Sequence, residues 1–229
     1  MELLVSPRSL EEARNSLAAD IIDVKKPSEG SLGANFPWII RAVKEIAGEK
    51  PVSAAIGDFD YTPGGASLAA YGAACAGADY IKVGLMFDGA AQAGEVIDAV
   101  TRAVKEEFPS KQVVIAAYAD FERLQTISPM AISRLVADAG ADVAMIDTGR
   151  KDGQSTLAFM EEAELVRFVE QNREYGLKTA LAGALRFEDM GAMQRIQPDI
   201  VGVRGMVCGG DRSATIQPAL VQKALSLTR

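Results

Sequence analysis

At four places in this chain an aspartate stands immediately before an apolar, β-rich run, and the four places lie roughly 60 residues apart. The segments are Asp20-Ile21-Ile22, Asp79-Tyr80-Ile81, Asp142-Val143-Ala144 and Asp199-Ile200-Val201. Each interval holds two strand-like runs and two helical patterns. The strand-like runs fall near 2–6, 20–25, 51–57, 80–85, 112–118, 142–147, 178–182 and 200–204. The helical patterns fall near 8–18, 35–47, 65–76, 89–107, 129–139, 160–175, 187–196 and 214–227. Strands that alternate with helices form a parallel sheet. Eight such units in 229 residues predict a single (β/α)8 TIM barrel over 1–229, and the repeat fits its symmetry. A doubly wound open sheet competes, but no GxGxxG turn follows the first strand.

Side chains alternate faces along a strand, so the third and fifth residues after each aspartate share a face. Those pairs are Asp23 and Lys25, Lys82 and Gly84, Met145 and Asp147, and Gly202 and Arg204. Charged groups therefore recur on one face of the even strands, toward their C-terminal ends, where barrel active sites lie. Lysine is among the costliest residues to bury and is usually kept for chemistry. Asp23, Lys25, Lys82, Asp147 and Arg204 are expected to meet in one pocket, with Lys151 just beyond the sixth strand. The alternative is an ion-pair cluster that closes the barrel mouth.

The composition narrows the chemistry. The chain has no histidine, which excludes a Ser-His-Asp triad, a Cys-His dyad and any His-ligated metal. Proton transfer then rests on Lys, Asp, Glu, Tyr or water, and no metal or other cofactor is expected. A net charge of −7 argues against nucleic-acid binding, although a basic pocket would still attract anionic substrates. No apolar run is long enough to span a membrane and no signal peptide is visible, so a cytoplasmic location is expected. Cys75 and Cys208 form no CxxC pattern and read as reduced thiols.

Glycine turns follow the last two strands: Gly183, then Gly205, Gly209 and Gly210 ahead of Asp211-Arg212. Such turns after barrel strands seven and eight make the usual phosphate site, to which Arg204 or Arg212 could add charge. The polar loop Pro27-Ser28-Glu29-Gly30-Ser31-Leu32-Gly33 after strand two reads either as a lid or as an ordinary connection. Asp58 and Asp60 read as caps for the next helix. Trp38, beside Ile39 and Ile40, reads as core, and Glu161, Glu162 and Glu164 as acids suited to a helix start.

An amine attacks a carbonyl only when unprotonated, and burial beside another cation lowers its pKa. Lys25 near Lys82 and Lys151 would meet that condition, with Asp23 and Asp147 orienting the ammoniums. These residues suit a Schiff-base lyase or aldolase acting on a phosphorylated carbonyl compound. A non-catalytic phosphosugar-binding barrel is the remaining alternative.

Several segments carry a family resemblance: Leu4-Val5-Ser6-Pro7, Ile22-Asp23-Val24-Lys25, Glu29-Gly30-Ser31-Leu32-Gly33-Ala34-Asn35-Phe36-Pro37-Trp38, Asp79-Tyr80-Ile81-Lys82-Val83-Gly84, Met145-Ile146-Asp147-Thr148 and Lys151-Asp152-Gly153. With Ala182-Gly183 and Val203-Arg204-Gly205, the chain resembles the (5-formylfuran-3-yl)methyl phosphate synthase family over essentially its whole length. The resemblance implies a (β/α)8 lyase that condenses two glyceraldehyde 3-phosphate molecules, with loss of phosphate and water, in methanofuran or analogue biosynthesis. It implies Lys25 as the Schiff-base lysine, Lys82 as proton acceptor, and Asp23, Asp147 and Lys151 as the other charged pocket residues. Gly183 and the Arg204-Gly205 to Gly209-Gly210 segment would hold phosphate. The implied partner is a phosphorylated triose, and a homo-oligomer is left open. Lys26 directly follows Lys25, and strand alternation should turn it away. The glycine loop carries no lysine.

Overall fold

The computed structural model describes residues 1–229. Eight parallel strands close into a barrel in sequential order, β1 to β8. They are Glu2–Val5 (β1), Ile21–Val24 (β2), Val52–Phe59 (β3), Tyr80–Leu85 (β4), Gln112–Tyr118 (β5), Val143–Asp147 (β6), Lys178–Leu181 (β7) and Ile200–Val203 (β8). The helices are Leu10–Asn15 (α1), Pro37–Ala47 (α2), Pro63–Cys75 (α3), Ala90–Lys105 (α4), Phe121–Leu124 (α5), Pro129–Asp138 (α6), Glu162–Glu174 (α7), Met190–Ile196 (α8) and Pro218–Thr228 (α9). The closed barrel excludes the open doubly wound sheet. No helix is long and apolar enough to cross a membrane.

Four short pieces were absent from the periodicity: α5 and single 3₁₀ turns at Pro27–Glu29, Thr156–Ala158 and Gly205–Cys208. Each is one turn or less, too short to show a 3.6-residue pattern. The last helix starts at Pro218 rather than near 214, because proline presets the first helical turn.

Two apolar cores result. The larger, of 54 residues, fills the space between the strands and the helices. The smaller, of 12, lies inside the barrel and includes Ile21, Tyr80, Val143 and Ile200 from the even strands. Those four residues directly follow the repeated aspartates. Two positions further along come Asp23, Lys82, Met145 and Gly202, and two beyond that come Lys25, Gly84, Asp147 and Arg204. Alternate strands thus supply interior side chains four to a layer. The even-strand contribution changes from apolar at the floor to charged at the mouth.

The aspartates themselves secure the floor. Asp20 accepts the Leu3 N–H at 2.8 Å, Asp79 that of Val52 at 2.8 Å, Asp142 that of Val113 at 2.7 Å and Asp199 that of Thr179 at 2.7 Å. Each carboxylate pairs an amide at the start of the preceding odd strand, where a buried N–H would otherwise be left unsatisfied. Lys44 adds an ion pair to Asp79 at 2.9 Å, and Lys105 the equivalent one to Asp142 at 2.8 Å.

Trp38 is not core. The buried face of α2 is Ile40, Val43 and Ala47, and Trp38 lies on the other side, 62% exposed and stacked on Phe36 at 4.6 Å. Neighbouring apolar residues in sequence did not reveal which of them the helix turns inward. Asp58 and Asp60 do not cap α3, whose first residue is Pro63 and whose cap residue Thr62 makes no side-chain capping bond to the helix. The acids before α7 do act at its start: Glu161 and Glu164 form a reciprocal capping box. Both cysteines are free thiols, Cys75 exposed and Cys208 buried.

Candidate active site

The mouth of the barrel opens into a cavity of about 610 Å³. Lys25, Lys82, Asp23, Asp147 and Lys151 all line it. Asp23 and Lys82 are the deepest. The Lys82 ammonium donates to Asp23 Oδ1 at 2.8 Å, with both side chains essentially inaccessible. Ser53 donates to the same oxygen at 2.8 Å and Ser6 to Oδ2 at 2.8 Å. Burial alone would raise the Asp23 carboxyl, but Lys82, Lys25 and these hydrogen bonds outweigh it and hold it below the usual carboxylate range. Ser53 reaches Asp23 because the two lie in register on β3 and β2.

A second pair sits one layer higher. Lys151 donates to Asp147 Oδ1 at 2.7 Å, and the Thr148 N–H donates to the same oxygen at 2.7 Å. Against burial, Lys151 and Lys25 hold the Asp147 carboxyl at about 2.

Lys25 lies between the two pairs. It is 7% exposed, yet its ammonium has no hydrogen-bond or ion-pair partner, whereas Lys82 and Lys151 each hold a carboxylate. Burial lowers its pKa, Asp147 and Asp23 pull it back, and the Lys151 and Lys82 charges lower it again, to about 8. At neutral pH about a tenth of such an amine is free base, against well under a thousandth for an ordinary lysine. Lys26 points away, as alternation requires. It pairs with Glu29 and stands 4.6 Å over the Phe36 ring.

Gly183, Gly205, Gly209 and Gly210 line the same cavity. Gly183 has φ +96, and a Cβ there would collide with Thr156 and Thr148, so only glycine fits between β7 and β6. After β8 the chain enters the one-turn 3₁₀ segment Gly205–Cys208, the position where barrels often place a phosphate-binding turn.

Arg204 lines the cavity, but its guanidinium is committed elsewhere. It donates to Glu12 at 2.8 and 3.3 Å, to the Ser6 carbonyl at 2.7 Å and to the Arg212 carbonyl at 3.1 Å. Burial would raise the Glu12 carboxyl, but Arg204 and the Arg8 amide pull it below its ordinary value. Sequence reading missed Glu12. It lies on a short helix among other acids, and nothing local distinguishes it from Glu11. Ser6 and Ser53 were missed as partners of Asp23 because strand register is not written in the chain.

One side of the mouth is filled. Tyr118, fully buried at the end of β5, donates a short hydrogen bond to Asp58, which also accepts the Leu32 N–H at 3.0 Å. Burial and then Asp58 push the Tyr118 hydroxyl well above its usual pKa. Leu32 drops into the interior core, and Ser31 bonds the Thr148 carbonyl at 2.9 Å, so the loop after β2 is seated across the top. Gly84 makes room, since a Cβ there would strike the Tyr118 hydroxyl. No residue of β3 or β5 lines the cavity; its walls come from β1, β2, β6, β8 and the turn after β7, with Lys82 of β4 at the bottom.

Comparison with known proteins agrees with this architecture. Residues 3–225 match the 4-HFC-P synthase family. The chain is 56% identical over 230 residues to the (5-formylfuran-3-yl)methyl phosphate synthase of Methanosarcina acetivorans, covering 99% of this chain and 98% of the relative. It is 49% identical to the enzyme of that name from Archaeoglobus fulgidus, covering 98% of each. Among solved structures, the fold resembles 3-hexulose-6-phosphate synthase from Salmonella typhimurium, with a TM-score of 0.69, 22% identity and full coverage of both chains. It also resembles orotidine 5'-monophosphate decarboxylase from Methanocaldococcus jannaschii, with a TM-score of 0.71, 17% identity and coverage of 100% and 98%.

Proposed function

Because the chain belongs to the 4-HFC-P synthase family, we propose that it condenses two molecules of glyceraldehyde 3-phosphate into (5-formylfuran-3-yl)methyl phosphate through an imine on Lys25. For the atoms to balance, one phosphate and two waters leave for each furan. The product would serve the biosynthesis of methanofuran or a related carrier. Relatives that are (5-formylfuran-3-yl)methyl phosphate synthases by name support the product. The observation that supports the mechanism is the state of Lys25: a buried amine with pKa about 8 and no carboxylate of its own, between two lysine–aspartate pairs.

The neutral Lys25 amine adds to the aldehyde carbon of one triose and expels water as the iminium forms. The iminium acidifies the adjacent C–H, and loss of that proton leaves an enamine that can add to the second aldehyde. The Lys82 ammonium first gives a proton to the hydroxyl that leaves as water when the imine forms, and the neutral amine so produced takes the C–H proton, with Asp23 beneath it balancing the charge it regains. Lys151 and Asp147 form the second proton-handling pair, near the oxygens that leave as water. Phosphate rests on the turns at Gly183, Gly205, Gly209 and Gly210. Elimination needs only proton transfers and a leaving group, within the reach of these side chains.

The test is incubation of the purified protein with glyceraldehyde 3-phosphate alone, followed by proton NMR and phosphate release. The expected result is a furan aldehyde phosphate with one phosphate released per furan. A hexose bisphosphate without phosphate release would overturn the synthase reading in favour of a Schiff-base aldolase.

A further inference from the structure

Beside the barrel cavity lies a separate groove of about 270 Å³, lined by Arg8, Lys26, Pro27, Ser28, Arg204 and Arg212. Four of its six lining residues are cations and none is an acid, in a chain whose acidic residues outnumber its basic ones. Arg204 and Arg212 line both spaces, so the groove adjoins the cavity that holds Lys25. Gly183, Gly205, Gly209 and Gly210 line only the cavity.

The positive charge of the groove is under-compensated. Glu12 is the only carboxylate paired with its arginines, and Arg204 takes both of its oxygens. The Arg8 guanidinium reaches that carboxylate at 3.3 Å, beside its own amide at 2.9 Å, and its side chain is 45% exposed. Lys26 pairs with the exposed Glu29. Arg212 is half-buried and makes no ion pair or side-chain hydrogen bond. Burial and then the neighbouring Arg204 charge lower its pKa, while Asp147 pulls it back. The Ser28 hydroxyl adds a neutral donor. Guanidinium forks around a small concavity suit a tetrahedral dianion, which they bind through paired, charge-assisted hydrogen bonds.

We propose that this groove is a second phosphate subsite, in which Arg8, Lys26 and Arg212 hold the phosphoryl group of one triose while that of the other rests on the glycine turns. The affinity for a phosphate dianion stands on the groove alone; the identity of the ester rests on the function proposed above. The same chemistry would also bind the inorganic phosphate released, and the test separates the two.

Inorganic phosphate is titrated calorimetrically into the parent protein and into the Arg212→Gln and Lys26→Gln variants. Lys26 is a surface side chain, so its replacement leaves the fold intact, which circular dichroism verifies for both. The parent is expected to take two equivalents, and each variant to weaken one of them by about tenfold or more while retaining the other. Steady-state assays should show KM for glyceraldehyde 3-phosphate raised by about tenfold, with kcat changed far less. Weakened phosphate binding with an unchanged KM would overturn the ester assignment and leave the released phosphate as occupant. A single equivalent in the parent, or parent-like titrations in both variants, would overturn the subsite itself. The calorimetry needs no turnover, so a failure to form furan from triose would count against the function proposed above and not against the groove.

Discussion

At the floor of the barrel Asp20, Asp79, Asp142 and Asp199 each accept an amide of the preceding strand. At the mouth, five residues further along each chain segment, stand Lys25, Gly84, Asp147 and Arg204, and no two of them do the same thing. Lys25 is an unpaired amine, Gly84 is space for Tyr118, Asp147 holds Lys151, and Arg204 is locked on Glu12. The repeat is kept where it closes the sheet and broken where chemistry is asked of it. Similar residue types thus serve opposite purposes at the two ends. A carboxylate at the floor completes a hydrogen-bond ladder, whereas a carboxylate at the mouth sets the charge state of a lysine.

The sharpest way to break this contrast is Lys25→Ala. Turnover should fall by at least about three orders of magnitude, as expected when a covalent nucleophile is removed. Stability should fall less than in Lys82→Ala, since Lys25 leaves no charged partner behind. A variant retaining activity within about tenfold of the parent would take Lys25 out of the imine role.

Lys82→Ala comes next. It strands the buried Asp23 charge and should cost about 3–5 kcal/mol in denaturant unfolding. Borohydride should still trap substrate on Lys25, with furan formation stopped. If no adduct forms, the two lysines exchange roles.

Asp199→Ala tests the floor. It leaves the Thr179 amide unpaired and should cost about 1–3 kcal/mol of stability, with kcat within about twofold of the parent. A large loss of kcat there would end the division of labour between the two ends.

The smallest effect is a pH dependence. Only the neutral amine attacks, so kcat/KM should rise about tenfold per pH unit below a midpoint near 8, about 1.4 kcal/mol per unit. The same lowered pKa makes the unfolded chain hold more protons than the folded one between about 8 and 10.5, so stability should rise with pH across that window. A midpoint above 10 would mean that Lys25 is paired in solution.

The strands were legible because each is a short apolar run set between helical patterns and because the aspartates mark four of their starts. Alternation counted from those aspartates puts Asp23, Lys25, Lys82 and Asp147 on one face. What it could not supply was register and long-range pairing. Ser53 meets Asp23 across two strands, and Glu12 meets Arg204 from the opposite end of the chain. Arg204 lines the cavity as expected, but its ion pair with Glu12 was not foreseen. Asp58 was expected to cap a helix and instead ties the Leu32 loop to Tyr118. Both differences come from partners far away in sequence, which local pattern does not encode.

The filled side of the mouth has a consequence for stereochemistry. Because Tyr118, Asp58 and Leu32 fill the β3–β5 flank, the iminium proposed on Lys25 would be approached from the open cavity on the other side. A second aldehyde can arrive from one direction only, so the carbon–carbon bond should form with a single handedness, although the flat furan ring that results keeps no record of it.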